Sequence, residues 1–264
     1  MLTVISPAKR LDQTTRSLPG GMALTQPMFA TDAARLARLA KALSVDDLCA
    51  LMNISEPLGR LNRDRFKAYR PKPANTETWP AAFMFAGDTY AGLEAATMEP
   101  DALRWAQEHL RILSGLYGAL RPLDAIQPYR LEMGSKLANT KGADLYAFWG
   151  DKIAKALNAQ SAEVGTKILI NCASAEYFGA VDRKKLKLQV ITPVFLEDRR
   201  GDAKIISFWA KKARGAMARF IADHQLTDPQ DIRGFEVGGY RYNAGRSSAD
   251  ALVFLRPAVE AEAA

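Results

Sequence analysis

Histidine and cysteine are scarce, with two of each in 264 residues. Cys49 lies inside a helical pattern (LSVDDLCALM), and Cys172 ends an apolar strand pattern (KILINCA). Two such residues make no disulfide framework, so both are read as reduced and structural. His109 and His224 stand alone, and no CxxC, HxxxH or HExxH spacing occurs. That argues against a zinc site, and the expectation is no metal and no cofactor. The phosphate-cradling patterns GxxxxGK[ST] and GxGxxG are also missing, which disfavours nucleotide hydrolysis; GLYG at 115–118 reads as a loop. No apolar run approaches the ~20 residues that span a bilayer. The opening MLTVISPAKR has no basic segment leading into a long apolar one, so a cytoplasmic location and no membrane partner are expected.

What is present is an ordinary apolar content of 48% with 25% charged residues, enough to build a core. Short apolar runs alternate with amphipathic ones. LTVIS (2–6), AAFMFAG (81–87), KILINCA (167–173), LQVITPVFLE (188–197), AKIISF (203–208) and ALVFLR (251–256) read as strands. Residues 31–43, 44–52, 54–69, 144–157 and 209–224 read as helices, with Thr31, Ser44 and Ser55 at their starts and Pro57 in a first turn. LRIL (110–113) fits either. The expected fold is one mixed α/β domain over 1–257, a mixed sheet flanked by helices, with a C-terminal tail at 258–264.

Positive charge is in excess, 36 Lys and Arg against 29 Asp and Glu. The window 183–219 holds 11 of the cations (Arg199 and Arg200 among them) and three acids. A second cluster runs from Arg60 through Arg63, Arg65, Lys67 and Arg70 to Lys72, against Asp64 alone. Such clusters are either solvated faces or a surface for a polyanion. The second cluster follows LCALMNISEPLGRL (48–61), which resembles a helix–hairpin–helix module. Asn53, Ile54 and Ser55 occupy the hairpin, and Gly59 takes the small-residue place where the helices cross. A tight turn there exposes backbone N–H groups at the start of a helix, which favours phosphate. Asn53 and Ser55 replace the usual glycines; Asn tolerates left-handed backbone angles and Ser can cap.

SPAKRLD (6–12), FAGDTYAGL (85–93), LSGLYGALRPLDAIQPYRLEMG (113–134), SAEYF (174–178) and KIISFWAKKARGAMARFI (204–221) together resemble the YaaA family of bacterial peroxide-stress proteins. The resemblance runs from Ser6 to Arg256. It implies protection against hydrogen peroxide, limitation of iron-dependent damage, and sequence-independent DNA binding through a basic cleft and the hairpin. It also implies an unusual single-domain α/β fold, and it supplies no catalytic residues.

Candidate DNA contacts are therefore Asn53, Ile54, Ser55, Arg60, Arg63, Arg65 and the basic helix residues Lys211, Lys212 and Arg214. Lys211 and Arg214 share a face, opposite the apolar stripe Ala213, Met217, Phe220 and Ile221. Gly215 in mid-helix costs ~1 kcal/mol against Ala and is read as allowing another backbone close. DNA is the expected partner, and the protein itself is expected to be a monomer. The alternative is an enzyme acting on a nucleic acid or nucleotide, with Lys9, Arg130, Glu132, Asn171 and Glu176 lining a cleft. Convergence of those five in the fold is its test. Iron sequestration is disfavoured, since Glu-x-x-His pairs and His/Cys clusters are missing.

Overall fold

Among the described residues, eight strands hydrogen-bond into one sheet. The computed structural model describes residues 1–199 and 202–257, apart from the side chain of Arg199. Arg200 and the 258–264 tail lie outside the described residues. The strands are β1 (Leu2–Ile5), β2 (Leu110–Ser114), β3 (Gly118–Leu120), β4 (Ile168–Cys172), β5 (Gln189–Arg199), β6 (Asp202–Lys204), β7 (Arg241–Tyr242) and β8 (Ala251–Pro257). Five of them run parallel, side by side, as β2-β1-β4-β5-β8. Counted along the chain, that is the order 2-1-3-4-5 of a doubly wound sheet. Antiparallel β3 and β7 border it at β2 and β8, and β6 folds back on β5. Central parallel strands are covered on both faces, which is why β1 and β4 are nearly unbroken apolar runs. Their register sets Val4 opposite Arg111 on one side and Asn171 on the other.

The helices used below are α1 (Ala30–Lys41), α2 (Val45–Met52), α3 (Glu56–Ala68), α4 (Asp88–Leu93), α5 (Pro100–His109), α6 (Lys152–Glu163), α7 (Ala175–Phe178) and α8 (Ser207–Asp223). Helix α2 opens on a capping box: Ser44 Oγ accepts from the Asp47 N–H, and the Asp47 carboxylate accepts from the Ser44 N–H. Helix α8 lies against α4 and against β1, β4 and β5. Its approach to α4 is unusually close. A Cβ on Gly215 would sit 1.7 Å from the Thr89 carbonyl oxygen, and one on Gly92 would sit 2.0 Å from that of Lys212. Only glycine fits at either place, so the mid-helix Gly215 is explained by packing.

Four details of the sequence reading need correction. AAFMFAG is not one strand: Ala81–Met84 is a buried helical turn, and only Phe85–Ala86 is extended, pairing with Arg10–Leu11. The N–H groups of Ala81 and Ala82 donate to the carbonyls of Asp124 and Pro122 (3.0 and 2.9 Å), and a short buried run suits either state. AKIISF is extended only through Lys204. Residues 144–157 form two helices, Leu145–Trp149 and α6, parted at Gly150 with φ 48°. Helix α1 begins one residue before Thr31, at Ala30, so Thr31 cannot cap it.

Candidate functional site

In an open parallel sheet, ligands bind beyond the carboxyl ends of the strands where the strand order reverses. Here that point lies between β1 and β4. From β1 the chain crosses to β2 at one side, and from β4 it moves to β5 at the other. A cleft of about 450 Å³ opens there. Its floor is stitched across the two strands: the Ser174 N–H donates to Ser6 Oγ (2.9 Å). Ser174 also caps α7, its Oγ accepting from the Tyr177 N–H.

The cleft draws side chains from distant parts of the chain. Lys9 and Arg10 come from the loop after β1, Asp88 and Thr89 from the start of α4, and Glu176 from α7. Lys211 and Arg214 come from α8, one turn apart on the face that leaves the core. Ala213, Met217 and Ile221 on the other face are buried, and Phe220 is half-buried.

Glu132 is the junction. Its Oε1 accepts from Arg130 Nε (3.0 Å) and lies 2.9 Å from Arg130 Nη2 and 3.4 Å from Lys9 Nζ. All three contacts fall on one oxygen. The other, Oε2, is buried with no hydrogen-bond partner. Glu176 Oε1 accepts from the Gly134 N–H (2.9 Å), which ties α7 to the segment carrying Glu132. By contrast, the side chains of Arg10, Lys211 and Arg214 have no hydrogen-bond or ion-pair partner among the described residues.

Of the five residues offered for an enzymatic cleft, Lys9, Glu132 and Glu176 line it and Arg130 stands directly behind. Asn171 does not join them. Its Oδ1 accepts from the Ala173 N–H (3.1 Å), closing a turn at the end of β4. Arg10, Asp88 and Thr89 escaped the sequence reading. Their signal was placement inside the quoted blocks SPAKRLD and FAGDTYAGL, Arg10 directly after Lys9.

Two groups with nucleophilic atoms also reach the cleft. Burial pushes the Cys172 thiol up to about 12, with Arg214 pulling weakly the other way. Burial, then the charges of Tyr129, Glu176 and Glu132, raises the Tyr177 phenol. Both are protonated at neutral pH, and Cys172 is inert as a nucleophile.

The candidate DNA contacts divide. Helices α2 and α3 are joined through Asn53, which takes the left-handed conformation (φ 49°) as the αL cap of α2. Ile54 packs against the core. Ser55 holds the N-cap position of α3 without a side-chain cap bond. Gly59 sits at the crossing of the two helices, where a Cβ would meet Cys49 Sγ at 2.4 Å. Arg60 is paired with Glu56 and Arg63 with Asp64. Arg65 reaches Asn62 Oδ1 (3.3 Å), and burial followed by the neighbouring Arg130 charge lowers its pKa. That proximity joins the end of α3 to the Arg130–Glu132–Lys9 chain. Lys212 is exposed and does not line the cleft. Arg219, also in the basic window, is spent on structure: it binds Asp223 and the carbonyls of Glu94 and Thr97.

Among the described residues no group of three His, Cys, Asp or Glu is placed to hold a metal ion, and no helix is long and apolar enough to cross a membrane.

Comparison with known proteins agrees with the sequence blocks. The family described as peroxide stress protein YaaA matches residues 1–246. A UPF0246 protein of Ruegeria pomeroyi is 60% identical over 257 residues, covering 97% of this chain and 99% of its own. One of Roseobacter denitrificans is 58% identical over 259 residues, covering 97% and 98%. One of a Jannaschia species is 56% identical over 264 residues, covering the whole of both chains. With a family match over residues 1–246 and relatives this similar, the chain belongs to the YaaA family of peroxide stress proteins.

Proposed function

We propose that this protein acts in peroxide defence by binding the nucleic-acid backbone, with the switch-point cleft as its principal contact. The observation that carries this reading is the set of cations left over in the cleft. Arg10, Lys211 and Arg214 face it with no partner among the described residues, while the neighbouring Glu132 is already held by Arg130 and Lys9. Phosphate is the acceptor such groups lack, and contacts of this kind position a duplex without reading its bases. The Asn53–Ser55 turn supplies a second contact. It lies some ten residues up α3 from Arg65, or about 15 Å at the helical rise.

The test is a fluorescence-anisotropy titration with duplex, single-stranded and four-way-junction DNA over a series of salt concentrations. Each neutralised phosphate contributes about −0.9 to the duplex slope of log K against log salt. The double variant Lys211→Ala/Arg214→Ala should weaken all sequences alike and flatten the slope by roughly two contacts' worth. Salt-independent binding, or an unchanged slope in that variant, would overturn the assignment.

A second reading, an enzyme acting on a nucleic acid or nucleotide, is favoured by one feature: the unpartnered Oε2 of Glu132 beside Lys9 and Glu176. A carboxylate oxygen without a donor, next to cations that hold phosphate, suits a general base. Glu132→Gln separates the two readings. Retained DNA affinity with loss of a nuclease or nucleotidase activity supports the enzyme, whereas no turnover in the wild-type protein rejects it.

A further inference from the structure

The start of α8 carries an apolar corner that the cleft does not use. Phe208 is 51% exposed, Trp209 37% and the nearby Ile205 58%. Single exposed apolar side chains are ordinary, but large ones clustered in one short stretch mark a contact surface. Phe208 and Trp209 meet edge to face, with ring centres 4.9 Å apart and planes at 75°. Together they form a corner instead of one flat shelf. Its Trp209 wall is braced: the Arg256 guanidinium lies over that ring, 4.0 Å from its centre, and Arg256 Nε donates to Glu197 Oε2 at 2.6 Å. The brace occupies one face of Trp209 and leaves Phe208 as the more open ring.

Cations follow on the same helix. Lys211 and Lys212 stand one turn after Phe208, on its face of α8. Lys211 and Arg214 enter the cleft, and neither side chain has a hydrogen-bond or ion-pair partner among the described residues. From Phe208 to Lys211 the axial rise is about 4.5 Å. A base on the ring and a phosphate on Lys211 therefore need only one short piece of strand. Two acids close in sequence are already engaged, Glu197 by Arg256 and the Tyr240 hydroxyl and Asp202 by Lys204. An apolar protein surface would cover Phe208 but bring nothing for the cations. A nucleic-acid strand brings a π-face and a phosphate with every unit.

We infer that Phe208, braced by Trp209, is a stacking platform for an unpaired base of the strand whose phosphates Lys211 and Arg214 hold. The inference rests on the backbone-binding reading above and adds its substrate class, strands with unpaired bases in preference to intact duplex. Inside a duplex both faces of a base are already stacked, so the ring can reach one only by unstacking it. Every base has a π-face, so the platform selects for the unpaired state and not for sequence.

The experiment is an anisotropy titration of the full-length protein at fixed salt with three probes of one length: an oligo(dT) strand, a strand of abasic residues with the same phosphates, and a duplex. Wild type is compared with Phe208→Ala, Phe208→Leu and Phe208→Trp. Wild type should bind oligo(dT) at least about fivefold more tightly than the abasic strand, the low end for one stacked base. Phe208→Ala and Phe208→Leu should remove most of that ratio, the second because apolar area without a ring is not enough, and Phe208→Trp should keep it. Affinity for the abasic strand and the duplex should not change, since Phe208 carries no charge. Equal wild-type affinity for oligo(dT) and the abasic strand, or a ratio untouched in Phe208→Ala, would overturn the inference and leave backbone binding standing. No binding of any probe would overturn both. Self-association of the wild type in light scattering that Phe208→Ala abolishes would give the ring to a second copy and overturn the platform.

Discussion

Replacing Gly215 with Ala sets two physical effects against each other, and the structure says which wins. In an exposed helix the change would gain about 1 kcal/mol, since glycine is the poorer helix former. Here the new Cβ would lie 1.7 Å from the Thr89 carbonyl oxygen, 2.7 Å from its carbon and 2.9 Å from the Leu93 nitrogen. All three are backbone atoms, so no side chain can swing aside. To reach the 3.4 Å of ordinary contact, α8 and α4 must part by about 1.7 Å at that point. Overpacking of this kind costs typically 1–3 kcal/mol, and so severe a clash belongs at the upper end. The net expectation is a loss of about 2 kcal/mol, or a fall in Tm of roughly 4–8 °C for a chain of this size. Function should change too, because Asp88 and Thr89 stand on one helix and Lys211 and Arg214 on the other. Urea unfolding gives the stability, and salt-dependent DNA titration gives the state of the cleft. A variant as stable as wild type, or more so, would refute the close-packing argument.

Other outcomes follow from single contacts. Ser44→Ala should cost about 1 kcal/mol in urea unfolding by opening the capping box of α2. Arg256→Met should be far more damaging, about 3 kcal/mol, because it removes the cation whose Nε lies 2.6 Å from the buried Glu197 carboxylate and leaves that charge with the neutral Tyr240 hydroxyl; a loss below about 1 kcal/mol would refute the reasoning. His109 titrates below its ordinary 6.5, chiefly through burial, while its ring lies 3.0 Å from the Met1 carbonyl. Its unfolded form therefore binds a proton first on acidification. The stability it contributes is full above 6.5 and is lost as pH falls through the lower folded value. His109→Gln should flatten the pH–stability curve on that acidic side, and an unchanged curve would disprove the coupling.

The sequence revealed the strands best where burial on both faces imposed an unbroken apolar run, as at Leu2–Ile5 and Ile168–Cys172. It misled at Ala81–Met84, where the same composition serves a helical turn whose N–H groups are taken by Pro122 and Asp124. The helical breakpoint at Gly150 was not anticipated, since a helix and its successor share one periodicity. In the cleft, Lys9, Glu132 and Glu176 could be nominated from their neighbours, but their meeting depends on strand order, which spacing does not encode. Asn171 was nominated on the same grounds and serves the local backbone instead.

The two borders of the sheet are formed by short segments, three residues in β3 and two in β7, both antiparallel to the strands they flank. A foreign strand seeking to extend the sheet would find only a few free backbone groups at either side. Aggregation through sheet edges needs a long, flat ladder to copy. Borders this short offer little ladder for an incoming strand to copy, so the sheet's ends are poor templates for its growth.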